Sequence, residues 1–162
     1  MPSSDSNPPL EIRRYRPGDA EAVWDLHNRA LYAAGSHPGS GQWDEDVRHI
    51  QREYLNPGGE FLVGLLDGAL VAMGGYQPAP DRQNVALVRR MRVDPSCQRH
   101  GFGRAIYSEL ERRARQVGIE LFRLDTTTRQ RPAQKFYESQ GFQPVGTDRF
   151  GRFDLIIYEK RL

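Results

Sequence analysis

The chain of 162 residues suits one domain with a sizeable core. A formal net charge of +2, from 21 arginines and two lysines against 21 acidic residues, is a mild bias and not a nucleic-acid charge field. No apolar run nears the length that crosses a bilayer, no signal-peptide core is present, and the single Cys97 rules out an internal disulfide or a multi-cysteine metal site, so a metal-free protein of the reducing cytoplasm, away from membranes, is expected.

Residues 1–9, MPSSDSNPP, read as a loose, disordered tail, and residues 10–162 as a single domain. Leu10–Arg14 reads as a short first strand. Gly18 or Asp19 can cap a helix to about Ala34 with Val23, Leu26, Ala30 and Leu31 on one face, and Gly35 ends it. After the turn-rich SHPGSGQ, Asp44 can cap a second helix to about Leu55, with Val47, Ile50 and Tyr54 at helical spacing. Phe61–Leu66 and Leu70–Tyr76 form a hairpin around Asp67-Gly68. Val85–Val93 is a long strand stopped by Asp94-Pro95. A helix from about Gly103 to Val117 carries the stripe Phe102, Ile106, Leu110, Ala114 and Val117. Leu121–Thr126 is a strand, Pro132 sits in the first turn of a short helix to about Gln140, and Phe142–Thr147 with Phe153–Glu159 makes a last hairpin. This order predicts a mixed α/β fold in which 85–126 is a parallel strand–helix–strand crossover, with seven strands and four helices in all.

Between the long strand and its helix lies QRHGFGRA, residues 98–105. A helix N-terminus presents unpaired backbone N–H groups and a partial positive charge, so it accepts an anion that side chains do not obstruct. Gly101 and Gly103 remove Cβ atoms where a diphosphate would approach, and Gln98, Arg99, His100 and Arg104 add donors around the same turn. A dinucleotide fingerprint fails because position 106 is Ile, and no Gly-Lys-Ser/Thr follows for a Walker loop. Taken alone, the turn reads either as a pyrophosphate cradle or as a helix cap with small residues for close packing.

The wider stretch LVRRMRVDPSCQRHGFGRAIYSELERRA resembles the acetyl-coenzyme A motif of the GNAT superfamily of N-acyltransferases. That signature is Gln/Arg-x-x-Gly-x-Gly/Ala after a strand ending in Val-Asp-Pro, here Gln98, Gly101 and Gly103 after Val93, Asp94 and Pro95. A second block, RLDTTTRQRPAQKFYESQGF, resembles the later family motif of Asn, Ala three on, Tyr seven on, and a closing Gly-Phe. Here these are Gln130, Ala133, Tyr137 and Gly141-Phe142; Gln130 replaces the Asn, and Pro132 is unusual inside the motif.

The resemblance implies a GNAT-like twisted mixed sheet of about seven strands whose parallel pair, Val85–Val93 and Leu121–Thr126, is splayed to admit acetyl-CoA as co-substrate. It implies a β-bulge on Val85–Val93, pantetheine pairing by the backbone of Met91, Arg92 and Val93, an N–H near Met91 or Arg92 facing the thioester carbonyl, and further contacts from Phe102, Gln130, Ala133, Phe136 and Tyr137. Lys135 is placed to meet the 3′-phosphate. Tyr137 is implied as the acid that protonates the departing thiolate, since a phenol near ~10 is protonated at neutral pH. The base is open among His27, His37, Asp44 and water, and Tyr32, His37, Trp43 and Phe150 are candidate walls for the acceptor, a small-molecule or peptide amine. A monomer or homodimer is expected. Two other functions stay in view: a CoA-binding sensor without catalysis, and an Arg-rich nucleic-acid binder with steeply salt-dependent affinity.

Overall fold

The computed structural model describes residues 9–35 and 42–162. Seven strands form one sheet: β1 (Glu11–Arg14), β2 (Glu60–Leu66), β3 (Ala69–Pro78), β4 (Val85–Val93), β5 (Leu121–Thr127), β6 (Gln143–Phe150) and β7 (Phe153–Arg161). Their spatial order is β1-β2-β3-β4-β5-β7-β6, and every neighbouring pair is antiparallel except β4 and β5. Three α-helices accompany them: α1 (Ala20–Ala33), α2 (Phe102–Gln116) and α3 (Arg131–Ser139). The mixed α/β fold and the parallel crossover are as the sequence order predicts.

Sheet strands alternate their side chains between faces, and β2 is covered on both of them. Its Leu62 enters the core under α2, which holds Phe102, Ile106, Tyr107, Leu110 and Ala114. Phe61 and Val63 enter the opposite core with Val23 and Leu26 of α1 and with Val47, Ile50 and Tyr54. The near-continuous apolar run FLV is the signature of a strand buried on both sides. The Asp67-Gly68 turn has positive φ at both residues, 50° and 83°, as a two-residue type I′ hairpin requires.

Two local expectations change. The segment read as a second α-helix is a 3-10 stretch at Gln42–Arg48, kinked at Asp44, followed by a π turn at Gln51–Leu55. Val47, Ile50 and Tyr54 are nonetheless buried, packed in one core with Val23, Leu26, Phe61 and Val63. Asp44 does not cap a helix there; it is buried within the kink. Val117 is exposed at the end of α2, not part of its buried stripe.

The feature that positions the site is how β4 leaves β5. The parallel pair is in register only at Val85↔Leu121, Ala86↔Phe122 and Leu87↔Arg123. Beyond Leu87 the two strands part. On its other side β4 carries a bulge: Met73 faces Arg92 and Gly75 faces Arg89, so Arg90 and Met91 stand opposite the single residue Gly74. Arg90 adopts φ +62° to make the bend. A Cβ on Gly74 would lie 2.2 Å from Met91 Sδ, so the glycine is what lets the bulge throw Met91 across the sheet.

Candidate active site

The turn that leaves β4 winds into α2 through two left-handed residues, Arg99 (φ 68°) and Gly101 (φ 76°). Gly101 is the N-cap of α2, and among the described residues no side chain caps the orphan N–H groups of the first turn. Gly103 sits inside that turn, where an added Cβ would rest 3.5 Å from Val93 and 3.8 Å from Phe136, an ordinary contact distance. Close packing therefore does not account for the glycine at 103, whereas backbone conformation accounts for the one at 101. Gln98, Arg99, His100 and Arg104 surround the turn, and the His100 ring stacks on Phe102 at 5.6 Å. An open, uncapped and cationic helix start is chemically suited to a diphosphate.

The parted strands enclose a cleft of about 590 Å³. Its walls include the β4 residues Leu87–Arg92, the β5 residues Arg123–Thr127, Gln130, Ala133 and Tyr137 at the head and inner side of α3, and Leu31, Trp43, Phe150, Phe153, Leu155 and Ile157. Five expected residues (Met91, Arg92, Gln130, Ala133 and Tyr137) thus meet at one site. Val93 and Phe136 are half-buried and pack on the α2 core, between the cleft and the glycine turn. Lys135 is exposed on α3. Among the expected acceptor walls, Trp43 and Phe150 line the cleft. Tyr32 does not: it is 66 % exposed, because the 100° step of α1 that turns Leu31 inward turns its neighbour outward. His37 lies outside the described residues.

Tyr137 is 8 % exposed, held edge-on between Phe136 at 5.2 Å and Phe142 at 5.5 Å. Burial pushes its phenol up to about 12; the Arg92 charge pulls the other way and the Asp125 charge adds to the rise. Among the described residues its hydroxyl has no hydrogen-bond partner. It is therefore a protonated donor facing an open cleft.

Cations crowd the β4 wall. Arg90 is bound by Asp46 (3.0 and 2.7 Å) and donates to the Trp43 carbonyl at 2.8 Å. Burial alone would raise the Asp46 carboxyl, but the Arg90 hydrogen bond and charge hold it down at about 2, and Tyr54 donates to it at 2.6 Å. This network fixes the bulge against the 3-10 stretch. Two of the expected base candidates are buried away from the cleft: His27 is 0 % exposed, its Nε2 lies 3.5 Å from Asp44 Oδ2, and its ring packs at 5.4 Å on Trp43, which does line the cleft. Neither lines the cleft. The carboxylates that do are Asp125 of β5 and Asp148 of β6, both exposed and neither marked by a sequence motif. Strand alternation alone places Asp125 on either face, so only the register with β7 reveals it.

A family model described as the acetyltransferase (GNAT) family matches residues 20–142. Among curated proteins, mycothiol acetyltransferase of Thermomonospora curvata is 34 % identical over 141 residues, covering 86 % of this chain and 46 % of that protein. The chain spans about half the length of the curated relatives it matches. Among solved structures, an acetyltransferase of the GNAT family from Staphylococcus aureus superposes with a TM-score of 0.85 at 18 % identity, covering 94 % of this chain and 99 % of that one. The PaiA N-acetyltransferase of Thermoplasma acidophilum, in complex with coenzyme A, does so with a TM-score of 0.77 at 21 % identity, covering 95 % and 99 %. These two likenesses speak to the fold. The matched stretch runs from α1 through the bulged strand and the glycine turn to the end of α3, and the chain belongs to the GNAT family of acetyltransferases.

Proposed function

We propose that this chain is an N-acetyltransferase that moves an acetyl group from acetyl-CoA to a primary amine by direct attack in a ternary complex. The observation that carries the reading is the adjacency of a parted parallel strand pair and an uncapped glycine turn. The first leaves a strand edge free for the amides of pantetheine; the second leaves amide hydrogens free for a pyrophosphate. Family membership and a relative named as an acetyltransferase support the acetyl donor.

In this reading backbone groups of Met91, Arg92 and Val93 hold the pantetheine arm, and an N–H at the bulge faces the thioester carbonyl. Gln98, Arg99, His100, Gly101, Phe102, Gly103 and Arg104 form the phosphate turn, Gln130, Ala133 and Phe136 flank the arm, and Lys135 serves the 3′-phosphate. Holding amine and thioester together supplies much of the rate. Tyr137 donates its proton to the departing thiolate. The amine proton leaves toward Asp125 or Asp148, directly or through water. Trp43 and Phe150 wall the acceptor.

The test is thiol release from acetyl-CoA across a panel of amines, beside calorimetric binding of acetyl-CoA. Turnover with at least one amine is expected. Tight binding with no thiol released by any amine would instead mark a sensor.

A further inference from the structure

We propose that the acceptor is a zwitterion, a small amine that also carries a carboxylate, held by the Arg92 guanidinium with its nitrogen turned toward Asp125. This inference rests on the acetyltransferase reading and gives that site its substrate class.

Four arginines line the cleft, and their partners differ. Arg90 is neutralised by Asp46 and Arg123 by Glu159 at 3.0 Å. Arg89 donates to the neutral Gln77 amide at 3.1 Å. Arg92 has no carboxylate partner among the described residues. Among the described residues its guanidinium makes one hydrogen bond, from Nη1 to the Met91 carbonyl at 3.0 Å, and its Nε, fully withdrawn from solvent, meets no acceptor. The nearest acid in the network, Asp46, is not available to it: one oxygen is shared by Tyr54 and Arg90 and the other accepts from Arg90. Burial, and then the like charge of Arg90, draw the Arg92 guanidinium down to about 10, which is how a cation without a counter-anion behaves. A buried charge without a partner is costly, and proteins retain one where a ligand completes the pair.

The other pole stands on the facing strand. Asp125 lines the same cleft from β5, and it has no ion-pair partner among the described residues. Tyr137 lies within the electrostatic reach of both groups. The two strands that part to admit a donor thus present opposite unpaired charges to whatever enters from the acceptor side. An alkylamine or polyamine would bring a cation against Arg92, which disfavours it. A free carboxylate beside the amine matches the planar fork of the guanidinium. A peptide N-terminus lacks a carboxylate near its amine and is disfavoured for the same reason.

The experiment measures kcat/KM for thiol release with α- and β-amino acids, each beside its primary carboxamide and its one-residue-extended dipeptide. The native enzyme is expected to prefer the acids by about 10- to 100-fold, the effect of one charged hydrogen-bonded pair. Arg92→Met is expected to bring the acid-to-amide ratio near one, and Arg92→Lys to keep part of the preference; the ratio compares two acceptors on one protein at saturating acetyl-CoA, so a shared change in donor binding cancels. Native enzyme that acetylates amides as well as acids overturns the proposal without touching the acetyltransferase reading, and this readout needs no variant. An unchanged ratio in Arg92→Met also overturns it, as does a loss confined to acetyl-CoA affinity. If acetyl-CoA binds but no amine turns over, the acetyltransferase reading fails by itself. The carboxylate site is then judged by titrating the CoA-loaded protein with N-acetylglycine and N-acetyl-β-alanine: binding that Arg92→Met abolishes supports it, and no binding overturns it.

Discussion

A phenol is useful as an acid only while it keeps its proton, and the surroundings of Tyr137 decide how long that is. Phe136 and Phe142 pack edge-on against its ring and strip water from it, and a buried anion is disfavoured more than a buried neutral group. The result is a phenol raised to about 12. Below that value the group is protonated, so raising pH from neutral toward ~10, where a free phenol titrates, does not remove the acid. We expect kcat to rise or hold level between about pH 7 and 10, as the amine deprotonates, with no falling limb from Tyr137 in that window. Tyr137→Phe keeps the packing and removes the proton; kcat should drop about 10²- to 10³-fold with acetyl-CoA affinity unchanged. The check is a thiol-release pH profile for both proteins. A falling limb centred near pH 8–9 in the native enzyme alone, or a Phe variant with full kcat, would refute the assignment. At the same scale, Arg92 and Asp46 show why neighbours differ: one carboxylate neutralises Arg90 and leaves nothing for the cation two residues on.

The head of α2 separates two jobs that glycine can do. Gly101 has φ +76°, so any other residue there strains the backbone; Gly103 has ordinary helical surroundings and room for a Cβ. Gly101→Ala should cost about 1 kcal/mol of stability. Gly103→Val should leave thermal stability nearly unchanged, since a glycine inside a helix is itself unfavourable, yet weaken acetyl-CoA binding at least about tenfold by covering the exposed amides. Calorimetry beside thermal melting distinguishes the two; a Gly103→Val protein that binds the donor normally would return this turn to a mere helix cap. The turn was legible in the sequence because strand end, glycines and helix start are local and adjacent. So were the order of elements along the chain and, from period, most of the buried faces of α1 and α2. The bulge on β4 was implied by the family resemblance alone and not by period, although Gly74-Gly75 in mid-strand of β3 is its trace. A bulge shifts register by one residue, and every side chain after it changes face. That is why Met91 was readable as a main-chain contact while Arg92 as a cleft cation was not; Asp125 lies on the unbulged β5 and was missed because alternation alone leaves its face open until the register with β7 is known. Likewise the spacing of Val47, Ile50 and Tyr54 names what is buried but does not distinguish α from 3-10 and π winding.

At the scale of the molecule, the sheet is two blocks joined by a short seam. One block is β1–β4 with α1; the other is β5–β7 with α3; their strands share only the three register pairs from Val85 to Leu87. The rest of the connection is α2, whose Tyr107 meets Phe122 at 6.2 Å, Phe136 at 6.4 Å and Phe142 at 5.7 Å while its stripe lies on β2 and β3. A ligand that pairs with β4 and touches β5 and α3 would close the open end of the seam that α2 spans from one face. Binding to the native state alone adds about 2.7 kcal/mol at a hundredfold excess over Kd, and 1 kcal/mol corresponds to about 2–4 °C at this chain length. Coenzyme A at that excess should therefore raise Tm by about 5–10 °C. Amide exchange should slow most at residues 88–93 and 124–127, where the strand edges face each other unpaired, and at 101–104. Strands β1 and β2, which contribute nothing to the cleft lining, should change least. Hydrogen exchange with and without coenzyme A reads this directly: protection gathered in β6 and β7, with β4 unchanged, would mean that the ligand lies across the rim and that the parted strands are not its seat.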